Sequence, residues 1–328
     1  YIEELLNYLH DRGIHPRDAQ ALAEVDLPSS LYSLVLSRID QLAERQQTVN
    51  KMASVIGRLF PAAMVWGVYP QVGSFERVQA DLETLSELEL TPLDAPEPEL
   101  TYLFKHIITQ EVAYESLLYA TRSMLHEQIG EYVEATYPDT LDQYVNLLAF
   151  HYERSENQTK KREYLAKAGE AARETYANEA ALEYYQKLLP LMPAAEQGAV
   201  LLKLGKVLEL TGQWDEAGDR YQEALNLAEM LKDPQGQAWC ETAIGELHRK
   251  QGAYDLATEW LARAQARFEK LQDEAGIGQV LHYAGTVADQ QGDYEAANTL
   301  WRESLALRRS LDDKPSIGGL LSNLGIVA

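Results

Sequence analysis

Shifted by 40 residues, the last third of the chain falls on itself. Gly205, Gly245, Gly285 and Gly325 coincide, and so do Gly212, Gly252 and Gly292. Trp214, Tyr254 and Tyr294 align, followed by Ala217, Ala257 and Ala297. Next come Tyr221, Leu261 and Trp301, then Ala224, Ala264 and Ser304. Leu231, Leu271 and Leu311 close each unit, with Asp233, Asp273 and Asp313 just beyond. A repeat of this length predicts two antiparallel helices per unit. One such hairpin cannot bury its apolar faces alone, so neighbouring units must stack. A small residue at Gly205 and its equivalents allows close approach of the partner helix. Gly212 and its equivalents can adopt positive φ and end the first helix. The aromatic at 214, 254 and 294 is expected to pack over that turn. Tyr221 is expected to fill the gap to the next unit.

The glycines, Trp214-Asp-Glu-Ala217 and Tyr221-Gln-Glu-Ala-Leu225 together resemble the tetratricopeptide repeat, in a long form of about 40 residues rather than 34. The proline that usually ends the second helix is missing. Glu229, Glu269 and Arg309 lie near its place, so the second helices should run about a turn and a half longer. A degenerate unit runs from Ala168-Gly169 through Tyr184-Tyr-Gln-Lys-Leu188, at an offset nearer 37 than 40. The expected division is a helical bridge with this degenerate repeat over 139–193, then tetratricopeptide repeats over 194–328, three full and a fourth truncated.

The middle of the chain reads differently. Ser30 can cap a helix carrying Leu34, Leu36, Ile39 and Leu42. A second helix spans roughly Gln46 to Ile56 and ends at Gly57; Ser74 caps a third. Leu90–Leu93 and Leu100–Phe104 read as strands joined by the turn-rich Asp94–Glu99. Three helices and a hairpin predict a winged-helix domain over 29–138. The fold class expected for the whole is all-α with a small β wing, a winged-helix domain followed by an α–α superhelix. A winged helix that reads DNA places its third helix in the major groove. Here Glu76, Asp81, Glu83, Glu87 and Glu89 stand against Arg77 alone, a net charge of −4. Phosphate neutralisation supplies most nonspecific DNA affinity, so no nucleic-acid partner is expected.

Composition narrows the function classes further. The 328 residues carry 51 acidic and 29 basic side chains, a formal charge of −22. That charge repels nucleic acid and anionic lipid. The one cysteine excludes a disulfide framework and a Cys-rich zinc site and fits a cytoplasmic location. No apolar run is long enough to span a bilayer. There is no phosphate-binding Gly-x-x-x-x-Gly-Lys-Ser/Thr loop, no cyclase-like aspartate pair and no His-Glu-x-x-His. Cys240 takes the position of Val200, Val280 and Leu320, which marks a core side chain and not a nucleophile. No catalytic or metal-binding residue is assigned, and no cofactor is expected within this chain.

Three stretches carry a wider resemblance: Ser54–Phe60 (SVIGRLF), Phe104–Leu118 (FKHIITQEVAYESLL) and Leu125–Ile129 (LHEQI). They are similar to the region after the ATPase core in bacterial signalling NTPases of the STAND type. Relatives carry adenylate/guanylate cyclase or kinase domains, or are transcription regulators like the maltose regulator. Leu148–Tyr152 and Tyr164–Gly169 resemble the bridge into the repeats, and Tyr1–Leu6 resembles the end of the NTPase helical lid, taken as 1–28. The resemblance implies ATP or ADP in a longer parent protein, the present sequence being an excised piece. It also places His106 where a winged-helix histidine contacts nucleotide phosphate, with Glu111 or local backbone as alternative partners.

In two-helix repeats the first helices line the inner face. Residues one, four and eight on from each helix start pick out Trp239, Thr242, Glu246 and Arg249, then Gln279, His282, Thr286 and Asp289. Trp239 stands among Ala199, Gln279 and Gly319, so an indole there is either a binding anchor or a cover for the adjacent unit. Lys206, Glu246 and Thr286 at equivalent positions argue against a clamp for a terminal carboxylate and for a cationic or mixed-polarity protein or ligand. Three functions stay open: a protein-binding sensor of a cyclase-linked STAND ATPase, the ligand-sensing region of a transcription activator, and a plain scaffold.

Overall fold

The computed structural model describes residues 2–11, 13–15 and 30–327, with side chains from Leu5 to Gly325 in that range. Most of the stretch assigned to an NTPase lid, and the Pro28-Ser29 pair ahead of the first cap, lie outside the described residues. The chain forms two compact units, 1–164 and 165–328.

The first unit opens with α1 (Ile2–Asp11) and α2 (Leu31–Asp40). Tyr8 and Leu9 of α1 bury against Leu34. Ser30 begins α2 as expected: its Oγ accepts the Ser33 N–H at 3.1 Å, and Ser33 Oγ accepts the Ser30 N–H at 3.1 Å. The buried Arg38 ties three segments together, donating to Asp11 and to the Leu88 carbonyl, both at 2.7 Å. α3 (Glu44–Ile56) ends at Gly57, whose φ is 151°. Two elements follow that the sequence reading missed, β1 (Leu59–Pro61) and α4 (Ala62–Val68). At three and seven residues they are too short to show a period.

α5 (Phe75–Glu87) is the third expected helix, but Ser74 makes no side-chain cap. α5 also stops short of Leu90. The N–H groups of Leu90 and Thr91 turn back to the Leu85 carbonyl at 3.0 and 3.3 Å, with Glu89 at φ 57°. That closure consumes the start of the expected strand, so β2 is Leu93–Ala95 and β3 is Thr101–Leu103. The sheet is antiparallel in the order β1-β3-β2, with Phe60 opposite Tyr102. The acidic count on α5 shrinks as well. Asp81 is buried and forked by Arg45 at 2.5 and 2.9 Å, and Glu89 lies beyond the helix, paired with Lys105. Glu76, Glu83 and Glu87 against Arg77 leave −2 in place of −4.

α6 (Ile107–Glu115), α7 (Tyr119–Thr136) and α8 (Val145–Glu153) complete the unit. Gly130 of α7 lies under the Tyr152 ring of α8; a Cβ there would stand 2.5 Å from it. The Tyr152 hydroxyl donates to Glu134 at 2.7 Å. Two buried imidazoles also meet between these helices, His126 Nδ1 to His151 Nδ1 at 2.8 Å, with His126 Nε2 at 3.0 Å from the Tyr114 hydroxyl. Burial, with the charges of Arg154 and Arg122, pushes His126 down to about 4. Burial, with His126 and Arg154, pushes His151 down to about 3.

α9 (Gln158–Glu174) contains the boundary between the units. In the second unit α10 (Asn178–Leu188) pairs with its latter part. Then come α11 (Ala194–Leu210), α12 (Trp214–Met230), α13 (Pro234–Lys250), α14 (Tyr254–Leu271), α15 (Glu274–Gln290), α16 (Tyr294–Ser310) and α17 (Lys314–Val327). Gly212, Gly252 and Gly292 end their helices at φ 79°, 78° and 84°. Asp233 and Asp273 cap the next first helix, accepting from Gly236 and Gly276 at 3.0 and 2.9 Å. Those bonds give a physical reason for the aspartate that recurs after each unit.

The small residue on α11, α13 and α15 does what the spacing implied, whereas a Cβ at Gly325 of α17 would meet nothing within 4 Å. A Cβ at Gly285 would stand 2.6 Å from the Trp301 ring, and one at Gly245 would stand 2.9 Å from Leu261; at Gly205 it would overlap the Tyr221 ring. Tyr221 therefore closes its own hairpin, and is not merely a filler toward the next. The degenerate unit uses the same contact, Gly169 beneath Tyr185, with Tyr176 (φ 58°) in place of the turn glycine. Its offset from the first full repeat is 36 at all three positions, smaller than expected. Trp214 and Tyr294 do not cover the turn. They remain 41% and 59% exposed at the start of their helices.

Two outcomes follow from this packing. Gly205→Ala forces a methyl into the Tyr221 ring and should lower the melting temperature, with overpacking of about 1–3 kcal/mol outweighing a helix-propensity gain of about 1 kcal/mol. Gly198→Ala, where a Cβ meets nothing within 4 Å, should raise it. Because His126 and His151 are held neutral when folded but protonate near 6.5 when unfolded, stability present above pH 6.5 should fall as pH drops from there toward 4. Each contributes a slope of up to about 1.4 kcal/mol per pH unit. Melting at pH 7 and pH 5 checks this; the difference should shrink in a His126→Asn/His151→Asn variant.

Candidate functional site

Each first helix of the array packs against the first helix of the next repeat: α11 on α13, and α13 on α15. The second helices of neighbouring repeats make less direct contact with one another. The first helices therefore form the inner face, and their side chains line its cavities.

The first cavity, about 280 Å³, is lined by Leu202, Lys206, Glu209, Tyr221, Trp239, Thr242, Ala243, Glu246, Gln279 and Tyr283. Four of the side chains chosen from the sequence meet here: Trp239, Thr242, Glu246 and Gln279. Thr242 turns its hydroxyl back onto the Ala238 carbonyl at 2.8 Å, so it lends shape and no free donor. Gln279 is braced by Arg308 at 2.7 Å. Trp239 is half-buried, edge-on to Phe268 with ring centroids 5.0 Å apart. It covers Phe268 of its own repeat, where the sequence reading had a cover for the adjacent unit, and it also lines the cavity.

The floor is an ion network. Glu209 is buried and takes Lys206 at 2.8 Å, Lys250 of the next repeat, and the Tyr221 hydroxyl at 3.0 Å. Burial alone would push its carboxyl up, but the two ammonium groups outweigh it and hold the carboxyl below its ordinary range. Arg249 forks Glu246 at 2.7 and 2.8 Å and reaches Gln290 of the following repeat at 3.1 Å. Glu246 was the acid that pointed to a cationic partner. It is already neutralised, and two acids against Lys206, Arg249 and Lys250 leave this network at +1. The expectation of a cationic or mixed-polarity partner is therefore not carried by Glu246 as a free acid.

The remaining chosen residues stand apart from the cavity. His282 Nε2 lies 3.1 Å from Asn323 Nδ2, and its carbonyl accepts the Trp301 indole N–H and the Thr286 hydroxyl. Burial lowers the His282 pKa. Asp289 is half-buried near the end of α15 and outside the network. Sequence reasoning missed Leu202, Glu209, Tyr221 and Tyr283. The first two sit one repeat before Thr242 and Arg249, and the same shift of 40 would have named them.

A second cavity, about 240 Å³, opens on the other side of Trp239, between Ala194, Gly198, Ala199 and Leu202 of α11 and Ala224, Leu227 and Leu231 of α12. Cys240 borders it from the core, and burial pushes its thiol up to about 12, so it is no nucleophile. Among the described residues no group of three or more His, Cys, Asp or Glu is placed to hold a metal ion. No described helix is long and apolar enough to cross a membrane.

His106 lies in the other unit. It occupies the N-cap position of α6 in extended conformation (φ −120°, ψ 139°), half-buried, without a side-chain cap bond.

Residues 196–270 match the family model for the tetratricopeptide repeat. The repeats within that span are tetratricopeptide repeats. No curated protein sequence matches the chain significantly. Among solved structures, aspartyl phosphate phosphatase F from Bacillus subtilis aligns at TM-score 0.50 and 15% identity over 92% of this chain and 80% of its own. A Rap protein complexed with competence and sporulation factor aligns at TM-score 0.50 and 12% identity over 92% and 71%. A STAND protein with a tetratricopeptide repeat sensor from Pyrococcus horikoshii aligns at TM-score 0.38 and 13% identity over 94% of this chain and 66% of that one. For the first two, at TM-score 0.50 and these identities, the likeness is one of fold.

The ion network yields a pair of contrasting outcomes. Glu209→Ala strands Lys250 and the Tyr221 hydroxyl and should destabilise by about 3 kcal/mol. Lys206→Ala removes a side chain that is 41% exposed and should change stability by less than about 1 kcal/mol. Denaturant melts of the two variants check the ratio.

Proposed function

We propose that this chain is a non-catalytic regulatory region whose tetratricopeptide repeats bind a protein or peptide along the inner face of α11, α13 and α15. The observation that carries the reading is the half-exposed Trp239 standing between two cavities on a face held rigid by paired charges. Exposed aromatics on a rigid surface are favoured anchors. Rap proteins, which share the fold, include one complexed with competence and sporulation factor.

The finer part of the proposal is a STAND-type parent. Residues 29–138 are read as a winged helix on the strength of α2, α3, α5 and the three-stranded sheet. In that parent ATP or ADP binds an upstream ATPase core, and His106 at the start of α6 donates to a phosphate oxygen. A cyclase domain as effector, a cytoplasmic setting and the domain limits drawn above rest on the sequence resemblance. The net −2 on α5 favours a protein-facing role over a DNA-facing one. Coupling requires that the partner bind the resting and active states with unequal affinity.

Two measurements test this. Titration of a candidate peptide against the full-length protein should change Trp239 fluorescence, and Trp239→Ala should abolish the binding. ADP affinity of the full-length protein should drop about tenfold in His106→Ala, the effect of losing one charge-assisted hydrogen bond; an unchanged affinity removes the nucleotide role.

A further inference from the structure

The cavity beside Ala199 owes its existence to a break in the repeat. Where α13 has Trp239, α11 has Ala199, and the first turns of α11 run Ala194-Ala-Glu-Gln-Gly-Ala199. The Trp239 indole thus has no counterpart in front of α12, and a hollow of about 240 Å³ remains over Ala224, Leu227, Ala228 and Leu231. An apolar cavity of roughly 150 Å³ admits benzene, so this one admits a leucine, methionine or phenylalanine side chain.

Its chemistry selects against a polar occupant. Asp233 Oδ1 at the rim already accepts the Gly236 N–H, Gln235 donates to Asp273 at 3.3 Å, and Cys240 remains a thiol. The walls are alanine, glycine, leucine and one face of the indole. Asp233 and Gln235 are the polar lining groups and both are exposed, so a polar group pressed onto the alanine and leucine floor would lose water without a partner there.

Across Trp239 the cavity wall carries charged groups, Lys206 with Glu209 and Glu246. The bonded network is +1, and Glu209 keeps Lys250 and Tyr221 if Lys206 turns away. Lys206, 41% exposed, is the cation that can swing to an incoming carboxylate.

We infer that the inner face recognises a polypeptide segment bearing one bulky apolar side chain, seated beside Ala199 against Trp239, with an acidic residue close to it in sequence that pairs with Lys206. This rests on the reading of the inner face as a polypeptide-binding surface and specifies what that surface selects. The hollow beside Ala199 and the mobile Lys206 lie at the two cavities that share the Trp239 indole, and this sets the order of the two side chains along the segment.

The test is selection of a displayed library of short random peptides on the purified whole chain, then titration of the enriched peptides by Trp fluorescence. Enriched sequences should pair a Leu, Met, Phe or Ile with a nearby Asp or Glu. Ala199→Phe fills the hollow from an exposed position and should weaken them by at least about tenfold, with melting unchanged. Lys206→Ala should weaken them too and flatten their salt dependence. Binders lost in Trp239→Ala but lacking the apolar–acidic pair, or indifferent to Ala199→Phe, overturn this inference and leave the binding face standing. A library that yields no Trp239-dependent binder overturns both.

Discussion

A ring seated directly on a backbone is the contact from which the rest of the structure follows. Gly130 under Tyr152, Gly169 under Tyr185, Gly205 under Tyr221 and Gly285 under Trp301 all bring two helices close enough that no Cβ fits between them. The ring then reaches past the glycine. In three cases its hydroxyl ends on a glutamate of the facing helix: Glu134, Glu170 and Glu209. An aromatic group of this size is a large apolar payload with a polar tip. The glycine fixes the approach and the glutamate fixes the reach, so helix spacing and ring position are set together.

The same contact decides where the charges of the inner face can lie. Glu209 is one turn beyond Gly205, and the Tyr221 ring that covers the glycine also shields the carboxylate from water. A carboxylate in that position needs partners, and Lys206 and Lys250 supply them from two different repeats. Packing therefore creates the demand, and the ion network answers it. Trp239 stands on this braced floor, which is why it can remain half-exposed without being loose.

The second unit was legible because its pattern recurs. Gly212, Gly252 and Gly292 mark the turns in the sequence, and Asp233 and Asp273 recur there with a role, helix capping, that only the structure supplies. The first unit was legible only where an element was long. β1 and α4 left no period to read, and β2 moved because the end of α5 was closed by backbone bonds from Leu90 and Thr91. Of the inner face, Trp239, Thr242 and Glu246 were found by counting along α13, and Gln279 by counting along α15. Glu246 was misjudged in charge because its neutralising partner, Arg249, lies three residues on and its direction is a matter of rotamer. The hollow at Ala199 is an absence of side chain, and an absence has meaning only once its neighbours are placed.

The polar seam along the inner face has a mechanical side. Lys250 reaches back to Glu209 and Arg249 reaches forward to Gln290, so three successive repeats are linked on that edge by directional bonds. The second helices of neighbouring repeats have no comparable direct packing. Directional bonds resist stretching, whereas apolar contact tolerates sliding. Flexing of the array is thereby hinged at its inner edge, and a load applied along the chain spreads the outer edge before the floor beneath Trp239 is disturbed.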